Sequence, residues 1–450
     1  MSDLFAARLQ MGTSLGFQIV FACIGMTMPW QMALASYRWL RTRDPVYRDL
    51  AKAWSKGVAV FFAVGAVSGT VLSFELGLLW PTFMEHAGAI IGLPFSWEGT
   101  AFFTEAIALG LFLYGWERLP ERVHFASGLV VGISGVFSGV LVVSANAWMN
   151  SPRGFRWVDG HAVDVDPVAA MFNDAWLTEA LHMVIAAFVS TCFAVAGVHA
   201  LRLLRGGRAA TFHQKALRMA LGMGSVFALL QPLSGDLSAK DVARRQPAKL
   251  AAMEAHYHTE RDAKLVLGGI PDDATGEVRY GLELPYLLSI LAKGDPHAEV
   301  QGLDQIPKAL RPPTLVCHIA FQVMVAAGMA MMTLGALYWW LRWRRPAALY
   351  SRGFLRLVAL ATPLGFIAVE AGWTVTEVGR QPWIIYGVMR TSDAVSAMPG
   401  LVWPLLMSLF VYALLVVVVI SVMTRLVRAT EHALDARLDG PVLAKQAEHA

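Results

Sequence analysis

Apolar runs of roughly 20 residues, the length needed to cross a bilayer as a helix, recur along the chain. They fall at about 14–37, 57–79, 98–116, 125–148, 176–203, 217–233, 314–341, 354–374 and 402–426. The pattern predicts an all-α polytopic membrane protein with nine transmembrane helices; the sixth run is the shortest and carries glycine. Positive residues collect in alternate connections. Arg38, Arg41, Arg43, Arg48, Lys52 and Lys56 follow the first run, and Arg118 and Arg122 the third. Arg202, Arg205, Arg208 and Lys215 follow the fifth, and Arg342, Arg344, Arg345 and Arg352 the seventh. Arg425 and Arg428 close the ninth. With nine spans all of these share one side, which the positive-inside rule makes the cytoplasm. The N-terminus is then expected outside and the C-terminus in the cytoplasm. The expected organisation is helices 1–6 over 1–233, an outer polar segment over 234–313, helices 7–9 over 314–428 and a cytoplasmic tail over 429–450. Inside the outer segment, Pro247 to Glu260 reads as a helix-like piece. Its Lys249, Glu254, His256, His258 and Glu260 read either as a solvated face or as the lining of a polar substrate site.

Composition agrees with the runs. The 450 residues are 56% hydrophobic and 16% charged, well below the quarter usual for soluble domains. The net charge of +4 sits in short loops between apolar runs, which does not suggest nucleic acid. The three cysteines, Cys23, Cys192 and Cys317, each stand in an apolar run and read as small buried hydrophobes. No CxxCH occurs, which excludes covalent c-type haem attachment. The first apolar run has no basic leader and is expected to stay in the membrane.

Few side chains in the runs carry chemistry. Ionisable groups at membrane depth are costly and mark functional sites by default. The densest cluster is Gly372–Trp383, GWTVTEVGRQPW, with Glu377, Arg380 and two tryptophans. Read blandly, it is a helix end anchored at the headgroups. His182 stands in the fifth run, Met324 in the seventh, and Glu98 and Glu105 near the start of the third. Glu98 and Glu105 are two helical turns apart on one face, the arrangement of a proton relay. Taken singly, His182 reads as a hydrogen-bonded membrane histidine, Met324 as one of 20 methionines and Glu98 as a helix cap. With nine spans, Glu98, Glu105, His182, Met324 and Glu377 all fall in the outer half of the membrane. A His and a Met on different helices at one depth would give an iron two axial ligands, the low-spin arrangement of an electron carrier.

Several blocks in order then resemble subunit I of the cytochrome bd-type quinol oxidases, over almost the whole chain. They are ARLQ at Ala7–Gln10, the Glu98–Glu105 helix with GWERL at Gly115–Leu119, and SANAWMNSPRGF at Ser144–Phe155. They continue with GDLSAKDVARRQPAKLAAMEA at Gly235–Ala255, FQVMV at Phe321–Val325 and EAGWTVTEVGRQPW at Glu370–Trp383. The short outer segment is similar to the short-loop, cyanide-insensitive branch. The resemblance implies a bacterial cytoplasmic-membrane enzyme that oxidises quinol at the outer face and reduces O2 to water. It implies a low-spin haem b on His182 and Met324, and a high-spin pair of haem b with haem d or a further haem b. Glu377 corresponds to a high-spin haem ligand, with Trp373 and Arg380 beside it. Lys249 and Glu254 correspond to the quinol-binding pair, making 234–313 the quinol-binding loop. Glu98 and Glu105 correspond to proton-pathway carboxylates. The implied partners are subunit II, a small single-span subunit, quinol, O2 and membrane lipid.

Two positions depart from the family. Gln322 stands where many members have arginine, a change the short-loop branch commonly tolerates. Gln18 stands where the family places a histidine ligand to a high-spin haem, and no other histidine lies in that run. An amide is a poor iron ligand beside imidazole. Three arrangements follow: a haem with water or a weak Gln18 contact, a haem held from the Glu377 side and by packing, or no haem there. The last corresponds to a divergent relative acting in electron transfer or redox sensing. A proton-coupled transporter is the rival of another class; it leaves the motif blocks unexplained.

Overall fold

The computed structural model describes residues 2–158, 161–206 and 208–448. Long helices dominate: α1 (Asp3–Thr42), α2 (Pro45–Leu79), α3 (Pro81–Tyr114) and α4 (Glu121–Asn150). After a short hairpin and α5 (Pro167–Met171) come α6 (Trp176–Arg205) and α7 (Ala210–Arg245). The outer segment holds α8 (Pro247–Met253), paired short strands and α9 (Leu287–Lys293). The chain closes with α10 (Thr314–Arg344), α11 (Arg352–Leu360), α12 (Leu364–Val378) and α13 (Val402–Glu448).

Local signals account for the boundaries. The Asp44 carboxylate caps α2 by accepting from Val46 N, and Pro45 occupies the first turn, where its missing N–H costs nothing. Ser351 caps α11 in the same way. Pro363 lacks a donor, so the eighth run is two helices, α11 and α12, with a break over 361–363. The break lies on Gly197 of α6, where any Cβ would collide with Thr362.

Eight helical stretches among the described residues, one of them the α11–α12 pair, are long and apolar enough to cross a membrane. α3 is not among them. It is 34 residues long, but Glu98 and Glu105 sit in its apolar half. It also starts at Pro81, far ahead of the run at 98–116. Glu98 is therefore a mid-helix residue and not a helix cap. α7 likewise runs on to Arg245, beyond the apolar run that ends at 233, because GDLSAKDVARR continues the helix once it leaves the apolar layer. The helix-like piece of the outer segment ends at Met253.

The outer segment is fastened to the bundle through α10. His318 is fully buried, its Nδ1 lying 3.0 Å from Met253 O and its Nε2 3.0 Å from Gly268 O. One turn later the Gln322 amide accepts from Gly268 N and donates to Val266 O. At the opposite end of the bundle, α6 and α7 turn beside α13.

Candidate redox site

α12 carries the centre of the site. Its Glu377 accepts from Asn146 Nδ2 on one oxygen and from Arg380 on the other. Arg380 is 2% exposed, and its Nε and Nη1 have no protein partner. Buried cations need compensation, so two idle guanidinium nitrogens are donors awaiting an anion. From Asn146 a chain of amides runs outward. Asn150 Nδ2 donates to Asn146 Oδ1 (3.1 Å), and Lys249 Nζ donates to Asn150 Oδ1 (2.8 Å). Gln246 closes the same corner on Asn150 O (2.7 Å). The Lys249 stem lies so close to Gly379 that a Cβ there would stand 2.8 Å from its Cγ. The Glu377–Arg380 pair and the predicted loop lysine thus belong to one buried network.

His182, on α6, is oriented by two neighbours on α7, Ser234 and Gln231. The Ser234 hydroxyl donates to Gln231 O (2.9 Å), so it accepts from His182 Nδ1–H (3.0 Å). With Nδ1 donating, Nε2 is the acceptor, met here by Gln231 Nε2 at 3.2 Å, and is the nitrogen a metal would take. Met324, on α10, lies against Gly372 of α12, where a Cβ would stand 2.8 Å from the sulfur. Glycine at 372 is what leaves the thioether room.

Lys249 and Glu254 are 4% and 5% exposed, so the solvated-face reading of this piece is overturned for them and for His256. His258 alone is exposed. Burial pushes the Glu254 carboxyl up to about 8 and leaves its Oε2 without a protein partner. Burial also lowers the Lys249 ammonium, against the pull of the Glu179 carboxylate. A cavity of about 130 Å³ opens at Gly379, on which the Lys249 stem lies, lined also by Ala248, Leu310, Arg380, Gln381, Trp383 and Tyr386.

Glu98 and Glu105 face α4. Ser138 donates to Glu98 Oε1 (3.0 Å), and Glu105 lies beside Gly135. Gly135 and Asn146 are about 16 Å apart along α4. The carboxylate pair is therefore displaced from Glu377 along the bundle axis. Gln18 is not brought to α12. It accepts from Ser68 of α2, and its Nε2 lies beside Gly69. Gly12 and Gly16 face α12 instead, against Trp373 and Glu370.

Sequence reasoning does not single out three participants. Asn146 and Asn150 are neutral amides within SANAWMN; their spacing of four residues on one helix face was the available clue. Glu179, one turn before His182, lies in electrostatic contact with Lys249, Arg380 and Glu377. The donor set suits haem: imidazole and thioether for a low-spin iron, a carboxylate for a second, idle guanidinium nitrogens for propionates, and glycines that clear space at α12.

Helices of this length around an imidazole, a thioether and a buried carboxylate define a membrane-embedded electron-transfer protein. A family model, Cytochrome bd terminal oxidase subunit I, matches residues 6–431, and the chain belongs to that family. It is 35% identical over 428 residues to the putative cytochrome bd menaquinol oxidase subunit I of Bacillus subtilis (strain 168), covering 94% of this chain and 96% of that one. It is 31% identical to the cytochrome bd ubiquinol oxidase subunit 1 of the same organism, over 88% of this chain and 86% of that one. It is 26% identical to the cytochrome bd-II ubiquinol oxidase subunit 1 of Escherichia coli (strain K12), over 94% and 96%. Among solved structures, the bd oxidase from Geobacillus thermodenitrificans superposes with a TM-score of 0.90 at 38% identity, covering 95% of this chain and 99% of that one. The chain is a quinol oxidase subunit, an oxidoreductase of respiratory electron transport.

Proposed function

We propose that quinol is oxidised against the outer segment and that its electrons reach a haem-iron centre beside α12, where O2 becomes water. The observation that carries this reading is the buried network Glu377–Asn146–Asn150–Lys249, with Arg380 at its inner end holding two idle donors. His182 Nε2 and Met324 Sδ would hold a low-spin haem b. Glu377 would serve the high-spin pair, haem b with haem d or b, with Trp373 beside it. Bound there, haem supplies one-electron transfer and an open iron position for O2.

The protein's own groups handle the protons and the substrate. Glu254 takes a proton from quinol, because a carboxyl tuned close to ambient pH serves as an efficient base. Lys249, its ammonium lowered by burial, orients the quinol oxygen. Glu98 and Glu105 line a proton route from the cytoplasmic side. Gln18, tied to Ser68, supplies no strong ligand, so its side of the high-spin centre rests on packing. The organism's quinol is met at residues 234–313, the outer loop. α3 is the ninth span, which puts the N-terminus outside and the C-terminus in the cytoplasm of a bacterial inner membrane. A subunit II completes the enzyme, and a small single-span subunit fits the same assembly. Purified complex tests the reading: haem extraction should return b-type haem, and Lys249→Ala or Glu254→Gln should raise the quinol KM or lower kcat at least tenfold with an unchanged haem spectrum. Wild-type rates in both variants would contradict it.

A further inference from the structure

Glu98 and Glu105 do not account for all the buried polar groups of the bundle. At the end opposite the outer segment, α6 and α7 bring together two buried histidines, 7% and 6% exposed. Nδ1 of His199 lies 2.9 Å from Nδ1 of His213, and Nε2 of His213 lies 3.3 Å from Glu431 on α13. Arg202 holds that carboxylate at 3.0 Å. The Trp54 indole only donates, and it lies 3.4 Å from His199 Nε2, which fixes that nitrogen as an acceptor. The hydrogen of His199 is therefore on Nδ1, shared with His213, and His213 turns its own Nε2–H to Glu431. Both bonds point toward Glu431, and the cluster holds exchangeable hydrogens at this end of the bundle.

Inside this cluster the α1–α6 interface is polar. α1 presents Gln31, Thr27 and Cys23 at spacings of four, one face of a helix. All three are 2% exposed or less. Gln31 Nε2 donates to Cys192 Sγ of α6 (3.2 Å). Gln31 Oε1, Thr27 Oγ1 and the neighbouring Thr191 Oγ1 have no protein partner. Small polar residues do let helices pack closely. Three orphaned oxygens along one seam go further, because each costs free energy unless water meets it. At the far end, Cys23 is in hydrogen-bonding contact with Ser190 and in electrostatic contact with Glu370. Glu370 has a buried oxygen, Oε1, without a protein partner, and stands two turns before Glu377 on α12.

We propose that the α1–α6 interface carries a second proton-entry row, leading from the Glu431–His213–His199 cluster through Gln31 and Thr191 to Glu370, separate from Glu98 and Glu105. This rests on the oxidase reading above. Reducing one O2 to two waters consumes four electrons and four protons; the row supplies protons from the side away from quinol, and no electron passes along it.

The test uses the purified complex with quinol and O2. Thr191→Val replaces a hydroxyl by a methyl of the same shape, and Gln31→Leu removes the central amide. Both are expected to lower kcat at least tenfold, leave the quinol KM and haem spectrum unchanged, and increase the rate difference between H2O and D2O. Thr191→Ser, which keeps the hydroxyl, is expected to retain the wild-type rate. Variants within twofold of wild type would overturn the row and leave the oxidase reading standing. Loss of kcat only together with the haem spectrum would make these residues structural and equally overturn it. A wild-type complex that consumes no O2 with quinol would sink the oxidase reading itself, and the row with it.

Discussion

Glu254 is a carboxyl held out of water, and the consequence is a sign that can be measured. Its folded value of about 8 lies above the ordinary 4.5, so between those values the folded chain holds a proton that the unfolded chain releases. Its contribution to stability is full below about pH 4.5 and declines as pH climbs through that window. Its ability to accept a proton runs the other way. Quinol-driven O2 uptake, followed as kcat/KM, is expected to rise with pH up to about 8 and then level. In Glu254→Gln the slope is expected to vanish and the rate to fall at least tenfold. A slope that survives the substitution would place the base elsewhere. The residues that stand out in the sequence are the ones whose chemistry clashes with their surroundings. Glu377, Arg380 and His182 are polar groups in or beside apolar runs, and membrane energetics alone marks them. Asn146 and Asn150 carry no charge, so nothing in composition separates them from packing residues; only the fold shows that they join Glu377 to Lys249.

Among the elements, α12 depends on glycine where neighbours press closest. A Cβ at Gly372 would meet the Met324 sulfur at 2.8 Å, whereas a Cβ at Gly365 would meet the Ser190 Cα at 2.3 Å. A side chain can shift and a helix backbone cannot, so the two substitutions should differ in kind. Gly372→Ala is expected to keep the fold and shift the low-spin absorption; Gly365→Ala is expected to lower the melting temperature of the complex or abolish its assembly. The α10 fastening gives a second expectation. Gln322→Ala loses two hydrogen bonds to the outer segment, about 2 kcal/mol in total. Limited proteolysis should then cut within 254–313 faster than in wild type, with a raised quinol KM. Element ends were the least legible feature. The stretch before Glu98 contains Pro81, Glu85, His86 and Pro94, which break an apolar reading although α3 runs through all of them. The amphipathic end of α7 reads as loop for the same reason: apolar content reports the lipid layer, not the length of the helix.

For the whole molecule, the alternation of apolar runs and basic connections fixed the class, because lipid admits few solutions to the backbone hydrogen-bond problem. The run at 98–116 reads as a span, while α3 is not among the eight described stretches long and apolar enough to cross a membrane. Reporter fusions after Tyr114 and after Arg425 are expected to read as cytoplasmic, and fusions within 254–313 as external. Gln18 is the departure that only three dimensions interpret: it is bound to Ser68 and turned to α2, while the glycines of the same helix make the face toward α12. The central claim is that His182, Met324 and Glu377 hold the redox centre. The reduced-minus-oxidised optical spectrum of the purified complex, wild type beside Met324→Leu, tests it most directly. The account predicts a low-spin b-type signal in the wild type that Met324→Leu converts to a high-spin form while the signal of the Glu377 side persists. A spectrum without haem, or a low-spin signal untouched by loss of the thioether, would contradict it.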